Sequence, residues 1–388
     1  MSEPSLGIMT LYLSDRANLE ERSYFRKLIV QAKKLGIRAF VFTPQDVDSK
    51  QHRIYAHHFE PAAGKWTRSW TSFPQLIYDR CRYQPTERFR QFRRFRATYS
   101  QLIYLNRPIL NKWGMHQFLA KSSRIRPHLP ATKQYADHRD LTEFIRNHRH
   151  IYLKPINGTG GRGILRISRQ PNGQFYVQGR DQNRRIVAPK LLTEKQLPGQ
   201  LASWNVAGRY LIQQGIQSRL PDGRVHDFRL LIQKNGSGEW EVTGCAGRIG
   251  PRKSITSNLH GGGQAISMTE LLRRRMHSEE KIESIRSSVY ELGEEIAKSV
   301  EGHFGRLCEL GIDIAIDPSG HPWVLELNPK PAREVFARIG EKETYEKAIS
   351  RPLEFALWLH KQDPVSSASL RRKRRRTSAR SGPVPGRK

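Results

Sequence analysis

One glycine-rich segment constrains the fold most: Lys154-Pro155-Ile156-Asn157-Gly158-Thr159-Gly160-Gly161-Arg162-Gly163. It lies between two predicted strands, 149–155 and 163–168. Glycine lets backbone N–H groups surround phosphate oxygens, and Lys154 at the strand end adds a positive charge. No GK[ST] sequence closes the segment and no helix follows, which excludes a Walker A loop and a dinucleotide fingerprint. The pattern predicts a phosphate-binding loop within a sheet, with a long flexible hairpin as the alternative.

A second constellation lies near the end of the folded chain, where Asp313 stands on one predicted strand and Glu326 and Asn328 on the next. Residues i and i+2 of a strand share a face, so Glu326 and Asn328 project together and a hairpin partner can place Asp313 beside them. Carboxylate and amide oxygens suit Mg²⁺ or Mn²⁺ held jointly with nucleotide phosphates. The alternative is a surface hairpin with incidental acidic residues.

The order of predicted elements indicates an α/β fold. Strands at 6–13 and 37–42 flank a helix with Asp15 as its predicted N-cap, a β-α-β opening of doubly wound type. Further strands are predicted at 52–59, 65–70, 75–80, 174–178, 209–214, 225–233, 240–247, 311–317 and 322–327. Further helices are predicted at 114–121, 279–301 and 342–361, and no internal repeat is visible.

The chain is strongly basic, with 67 Lys and Arg against 36 Asp and Glu and a formal net charge of +31. The segment 363–388 consists largely of Ser, Pro, Gly, Arg and Lys, which predicts a disordered polybasic tail. It could bind an anionic polymer or stay solvated without a partner. Residues 82–107 combine Arg with Phe89, Phe92 and Phe95, and this spacing favours an amphipathic helix over a nucleic-acid surface.

Cysteine use and apolar patterning indicate the cellular compartment. Cys81, Cys245 and Cys308 are far apart and form no CxxC, which favours a reducing compartment over disulfides or structural zinc. No stretch approaches the ~18 apolar residues of a membrane-spanning helix. The N-terminus lacks a basic region ahead of an apolar core, so no secretory signal is predicted. We expect a cytoplasmic protein.

These motifs, in this order, resemble the ATP-grasp superfamily: a strand-borne Lys-Pro with a glycine loop, a hinge YLIQQGI at 210–216, and a terminal GIDI…ELN pair. The sequences ELNPKPAREVF, YDR at 78–80 and SNLHGGG at 257–263 are similar to its YheC/YheD-type branch, described as endospore coat-associated. The resemblance covers residues 6–362 and implies spore association. It implies a doubly wound pre-ATP-grasp-like domain at 1–108, a first lobe at 109–212, a second lobe at 213–362 and the tail at 363–388.

The resemblance also implies a role for each matching residue. Lys112 and Lys154 would contact ATP phosphates or adenine. The loop closing over the phosphates would contain Gly158, Thr159, Gly160, Gly161 and Gly163. The adenine-binding hinge would contain Gln213, Gln214 and Ile216, and Asn258 would lie in the acceptor-side loop. Arg229 and Arg248 would neutralise the transferring phosphate, and Asp313, Glu326 and Asn328 would hold Mg²⁺ or Mn²⁺.

In this family a carboxylate attacks the γ-phosphate of ATP, and an amine or similar nucleophile captures the acylphosphate. The resemblance therefore implies an ATP- and Mg²⁺-dependent ligase whose carboxylate and nucleophile the sequence does not specify. A non-catalytic scaffold, joined to a spore layer or another anionic partner through the basic surface and tail, is a second hypothesis. A nucleic-acid-binding protein, favoured by charge alone, is a third.

The sequence departs from the family pattern at three places. Gln213-Gln214 stands where the hinge commonly has an acidic residue, and Ser218-Arg219-Leu220 stands where a ribose-binding carboxylate is expected. Pro329-Lys330-Pro331-Ala332 replaces a more usual glycine-containing continuation. Lys154 and the three metal ligands are intact. No histidine shows HExxH spacing, and His260 beside Gly261 is the one singled out for testing.

Overall fold

The computed structural model describes residues 3–13, 18–158, 160–259 and 262–362. The chain forms two compact units. The first takes in the described parts of Met1–Asn106, Lys234–Glu239 and Ile349–Lys388, and the second contains Arg107–Gln233 and Trp240–Ala348. Four features predicted from the sequence lie outside the described residues: the N-cap Asp15, the loop residue Thr159, His260 and the tail 363–388.

The first unit is a mixed sheet with helices packed on it, and residues 349–362 of the helix Lys342–Gln362 also belong to it. Its elements are β1 (Ser5–Met9), α1 (Arg22–Lys34), β2 (Arg38–Phe42), β3 (Val47–Asp48), β4 (Arg53–Glu60), β5 (Lys65–Ser72), β6 (Leu76–Asp79), α2 (Glu87–Thr98) and β7 (Ile103–Tyr104). The strand order is β3-β4-β2-β1-β6-β7, with β5 paired to β4. Strands β2, β1, β6 and β7 run parallel, as the β-α-β pattern predicts, and β4 joins β2 antiparallel.

The Arg-rich segment forms α2, whose N-cap Thr86 accepts a hydrogen bond from the Phe89 backbone N–H. Phe92 and Phe95 are buried in the core of this unit, while Arg93 and Arg94 are exposed. The amphipathic-helix interpretation is therefore confirmed, because the aromatic stripe packs and the charges between its residues face water.

The second unit begins with a helix and a six-stranded sheet. The elements are α3 (Lys112–Leu119), β8 (Thr132–Gln134), α4 (His138–Asn147), β9 (His150–Pro155), β10 (Ile164–Arg169), β11 (Phe175–Arg180), β12 (Ile186–Leu192), α5 (Leu197–Ala202) and β13 (Tyr210–Gln214). The order is β12-β11-β10-β9-β13-β8, with neighbours antiparallel. Ile151 and Leu153 of β9 pack into a core with Leu141 of α4. Strand alternation therefore turns Tyr152 and Lys154 to the opposite face.

A five-stranded sheet completes the second unit. The elements are β14 (His226–Lys234), β15 (Trp240–Ile249), β16 (Gln264–Ser267), α6 (Met268–Arg273), α7 (Glu279–Phe304), β17 (Glu309–Ile316), β18 (Pro322–Asn328), α8 (Glu334–Arg338) and the start of α9 (Lys342–Gln362), which continues into the first unit at Ile349. The order is β16-β15-β14-β17-β18. The stripe Ile282, Ile285, Val289, Leu292 and Ile296 of α7 is buried in the main core, as its 3-4 spacing predicts.

The mixed α/β class expected from the sequence is confirmed. The domain bounds expected from the sequence stay a prediction; residues 234–239 and 349–362 group with the first unit. Within the described ranges, no helix has the length and apolar character needed to cross a membrane.

Helix α7 approaches the five-stranded sheet closely at Gly293. A Cβ added there would lie 2.3 Å from Leu230 Cδ2, whereas one added at Gly302 of the same helix would have nothing within 4 Å. We expect Gly293→Ala to lower the free energy of unfolding by about 1–3 kcal/mol through overpacking. Gly302→Ala should raise it by up to about 1 kcal/mol through helix propensity. Urea denaturation followed by circular dichroism measures both free energies of unfolding. If the two variants were stabilised equally, the close packing of Gly293 against Leu230 would be contradicted.

Candidate functional site

A cavity in the second unit is lined by residues from both of its sheets and from α3. Twelve of the residues singled out from the sequence line it: Lys112, Lys154, Gly158, Gly160, Gly161, Gln213, Gln214, Ile216, Arg248, Asn258, Asp313 and Glu326. Gly163, Arg229 and Asn328 are not among the lining residues. Side chains separated by up to about 200 positions in the sequence therefore meet around one space.

Lys154 enters the cavity because it lies on the open face of β9. Its Nζ donates a hydrogen bond to Gln213 Oε1 at 2.5 Å, on the neighbouring strand β13. Removal from bulk water lowers the pKa of Lys154 to about 8; the carboxylate of Glu326 opposes this shift and the charge of Lys112 adds to it. A lysine with this pKa changes its charge just above neutral pH, so its cationic form depends on its surroundings.

The glycine loop follows β9 and reaches the segment 254–258. Gly160 and Gly161 have φ values of 68° and 73°, a left-handed conformation that other residues rarely adopt. A Cβ added at Gly161 would lie 2.6 Å from Asn258 Oδ1. The Lys112 Nζ donates to the Gly158 carbonyl and so holds the start of the loop. The loop backbone can approach a ligand closely because no side chains intervene at these positions.

Asp313 belongs to a chain of alternating charges. Arg229 donates from Nε to its Oδ1 at 2.5 Å, and the Nη2 of Arg248 lies 3.1 Å from its Oδ2. Arg248 also donates to both oxygens of Asp227, at 2.7 and 2.6 Å. Burial alone would raise the pKa of Asp313, but Arg229 and Arg248 hold it well below its ordinary value. Asp313 therefore remains a carboxylate across the physiological range.

Glu326 stands directly opposite Asp313 in the β17–β18 register, and a register shift follows between Asp313 and Ile314. Its Oε1 lies 3.3 Å from the Lys112 Nζ. Two carboxylates at opposed positions repel each other unless cations stand near them. Asn328 pairs with Gly311, and its Oδ1 accepts the Lys330 backbone N–H at 3.0 Å.

The donor chemistry of this hairpin fits a divalent cation. A carboxylate has about four lone-pair sites, so Asp313 and Glu326 keep acceptor capacity beyond their arginine and lysine contacts. Hard oxygen donors on one side of a cavity suit Mg²⁺ completed by phosphates and water. Within the described ranges, no cluster of three or more His, Cys, Asp or Glu side chains able to hold a metal occurs.

The hinge segment forms the other end of the cavity. The Gln213 Nε2 donates to Thr132 Oγ1 at 3.2 Å, and the Gln214 Oε1 accepts the Ala131 backbone N–H at 3.1 Å. These side chains are therefore engaged within the protein, and the hinge offers its backbone and the side chain of Ile216 to the cavity. Ala315 and Leu325 add apolar surface, and Ser218 lines the cavity near the expected ribose position.

Sequence reasoning missed several lining residues, which include Tyr152, His226, Asp227, Thr256 and Leu325. Tyr152 could have been found, since it lies two positions before Lys154 and so shares its face. Asp227 could not have been recognised as a partner of Arg248, because their bond joins separate strands. Thr159 and His260 lie outside the described residues.

Comparison with known proteins agrees with this architecture. A family model described as YheC/D like ATP-grasp matches residues 101–359. Endospore coat-associated protein YheC of Bacillus subtilis (strain 168) is 26% identical over 364 residues, which cover 92% of this chain and 96% of that protein. Endospore coat-associated protein YheD of the same strain is 25% identical over 376 residues, covering 95% and 81%.

A solved structure shows the same fold: the ATP-grasp ligase PsnB complexed with a phosphomimetic variant of minimal precursor, Mg and ADP. It matches with a TM-score of 0.50 at 13% identity, over 91% of this chain and 97% of that one. The family model covers more than half of the chain and includes every residue that lines the cavity. The chain belongs to the YheC/YheD-like ATP-grasp family.

Proposed function

We propose that this chain is an ATP- and Mg²⁺-dependent ligase that activates a carboxylate as an acylphosphate for capture by an amine or similar nucleophile. The support that weighs most is the meeting of Lys112, Lys154 and the glycine loop with Asp313 and Glu326 around one cavity. Phosphoryl transfer needs charge neutralisation and positioning more than a covalent protein nucleophile. This cavity offers cations, backbone N–H groups and metal-binding oxygens together.

Each part of the site has a proposed role. Lys112 and Lys154 bind the phosphates, with Gly158, Thr159, Gly160, Gly161 and Gly163 as the closing loop. The backbone of Gln213, Gln214 and Ile216 contacts adenine. Asp313 and Glu326 hold Mg²⁺ or Mn²⁺. Asn328 would add a third oxygen donor on β18 by releasing the Lys330 backbone N–H that its Oδ1 accepts. The bound ion would neutralise negative charge on the phosphate oxygens.

In the proposed reaction, a carboxylate oxygen attacks the γ-phosphorus, and the bond to the β–γ bridging oxygen breaks to release ADP. The nucleophile then attacks the acyl carbon, phosphate leaves, and the nucleophile loses its proton. Arg248 is held by Asp227 and Asp313, so its position is fixed before substrate arrives. A preorganised guanidinium costs little reorganisation as charge develops. Arg229 positions Asp313, and Asn258 contacts the acceptor side.

Removing the charge of Glu326 tests the metal site. We expect Glu326→Gln to reduce Mg²⁺-dependent ADP release by at least about 100-fold, because one metal-binding carboxylate is lost while its size is kept. Glu194→Gln, at an exposed position on the same unit, is the matched control and should leave the rate unchanged. The measurement is coupled ADP release with a panel of carboxylates and amines. Equal rates in both variants would contradict the assignment.

The lowered pKa of Lys154 predicts a pH dependence of nucleotide binding. Below its pKa of about 8 the amine is charged and can bind phosphate; above it, the neutral form loses this charge-assisted hydrogen bond. The Kd for a non-hydrolysable ATP analogue with Mg²⁺ should therefore rise about tenfold as pH increases through 8. Isothermal titration calorimetry measures it. Lys154→Arg keeps its charge at every pH tested, so its Kd should vary little with pH. If this variant showed the same pH dependence as the unmodified protein, the titration would belong to another group.

A second candidate function is a non-catalytic scaffold that associates with a spore layer through its basic surface. The endospore coat association in the names of the YheC and YheD relatives and the formal net charge of +31 favour it. A scaffold should retain its full recovery in the spore-coat fraction when Glu326 is replaced by Gln. Quantitative immunoblotting of coat extracts compares this variant with Glu194→Gln. Loss confined to Glu326→Gln would tie association to the nucleotide site and reject a purely structural role.

A further inference from the structure

Three arginines lie at the glycine loop: Arg162 within it, and Arg180 and Arg184 beside it. We call them the arginine cluster. Arg162 lines the cavity. Arg180 is only 2% exposed, and its Nη1 donates to Thr256 Oγ1 at 2.9 Å. Arg184 follows on the β11–β12 turn, and its guanidinium covers Gly160, where an added Cβ would lie 2.7 Å from Nη2. The cluster therefore joins the loop to the wall of the cavity.

The cluster holds more positive charge than nearby acids offset. Burial lowers the pKa of Arg184, and the charges of Arg162 and Arg180 lower it further. Its Nε is buried and has no hydrogen-bond partner among the residues described. Neither Arg162 nor Arg184 forms an ion pair with any described carboxylate. Arg162 is exposed and Arg184 is half-buried, so an anion can reach both guanidinium groups, and like charges this close repel each other until one does.

The local sequence offers little compensation. Between residues 149 and 195 the acids are Asp181 and Glu194. Asp181 accepts the backbone N–H groups of Asn183 and Arg185, at 2.8 and 2.7 Å, so its carboxylate caps the turn. Glu194 is exposed. A bound anion would supply the counter-charge that Arg162 and Arg184 lack among these residues.

The ligand is not accounted for by the nucleotide alone. In the proposed function, Lys112, Lys154 and the metal-binding hairpin already serve the phosphates. Arg180 of the cluster instead contacts Thr256, which lines the cavity with Ser257 and Asn258. In the proposed function, Asn258 lies on the acceptor side. The segment leading to them lies over the sheet, since Gln178 Nε2 donates to the Lys253 carbonyl at 2.7 Å.

The basic character continues outward from the cavity. Arg252 and Lys253 precede the acceptor-side residues, and both are exposed. A ligand with one carboxylate would engage part of this charge, whereas an extended chain with several carboxylates could engage all of it. Single-stranded nucleic acid fits less well because it needs aromatic platforms for its bases. Tyr152 is the sole Phe, Tyr or Trp side chain among the described residues that line the cavity.

We propose that the arginine cluster binds an acidic peptide, a co-substrate carrying several carboxylates, at the acceptor end of the cleft. The inference rests on the proposed ligase function and specifies its substrate class. Arg162 and Arg184 each donate charge-assisted hydrogen bonds to side-chain carboxylates of the peptide, and Arg180 fixes the wall through Thr256. Arg252 and Lys253 attract the flanking acidic residues.

The test is peptide binding to the full-length protein, independent of turnover. Fluorescently labelled hexaglutamate is titrated by anisotropy, with and without a non-hydrolysable ATP analogue and Mg²⁺, and hexaserine is the uncharged control. Arg162→Gln and Arg184→Gln should each raise the Kd for hexaglutamate about tenfold, as expected for a lost charge-assisted hydrogen bond. Arg169→Gln, an exposed position at the far end of β10, is the matched control and should change it less than about twofold.

Nucleotide binding separates this inference from the proposed function. Arg162→Gln and Arg184→Gln should change the Kd for the ATP analogue much less than the Kd for hexaglutamate, and Arg169→Gln should leave both nearly unchanged. Equal hexaglutamate affinity in the three variants would assign binding to the general basic surface and overturn the inference. A parallel loss of affinity for the ATP analogue would assign Arg162 and Arg184 to the phosphates and would overturn the inference. An equal loss of affinity for hexathymidylate would also overturn it, because the site would then not be selective for carboxylates. If the unmodified protein did not bind nucleotide, the proposed ligase function would be contradicted. The comparison of hexaglutamate affinities would still test the peptide site by itself.

Discussion

Asp313 and Glu326 face each other across β17 and β18, and the surrounding site is arranged to make that pair tolerable. Two carboxylates at opposed strand positions repel, so each has a cationic neighbour: Arg229 and Arg248 at Asp313, and Lys112 at Glu326. Because Lys112 also holds the glycine loop at Gly158, the acidic hairpin and the loop are linked through one side chain. Lys112 of α3 thus connects the acidic hairpin of one sheet to the glycine loop of the other.

The chain is strongly basic, yet acidic side chains line the cavity, where they hold cationic side chains in place. Asp227 and Asp313 hold Arg248 between them, which prevents the guanidinium from moving toward an arriving anion and leaves it preorganised. Lys154 is held differently: its partner is the neutral Gln213, and its pKa falls to about 8. The site therefore combines permanently charged arginines with a lysine whose charge responds to pH.

Local alternation made much of this site predictable. Lys154 ends a strand before a glycine loop, and Glu326 and Asn328 stand two apart on another, so their shared faces follow from sequence spacing. Non-local contacts were not predictable in this way. The bond of Arg248 to Asp227 joins two strands, and the shift after Asp313 alters which residues of β18 face the cavity. Asn328 has the expected spacing, yet its side chain accepts the Lys330 backbone N–H.

The fold shows the same division between local and non-local signals. The long helix α7 was evident from its apolar spacing, whereas α4 was missed although Asp137 and Asp140 form a capping box and Leu141 and Ile145 are buried. The polar segment 180–207 gave no periodicity, and its β12 is exposed along most of its length. An edge strand buries little, so its sequence has little reason to alternate.

The central claim is that the glycine loop and the acidic hairpin enclose one nucleotide. A crystal structure of the protein with a non-hydrolysable ATP analogue and Mg²⁺ tests it most directly. The account predicts a triphosphate between Gly160–Gly161 and the Asp313–Glu326 pair, with the Lys154 Nζ within hydrogen-bond distance of a phosphate oxygen. A nucleotide bound elsewhere, or a cleft without nucleotide at millimolar concentration, would contradict it.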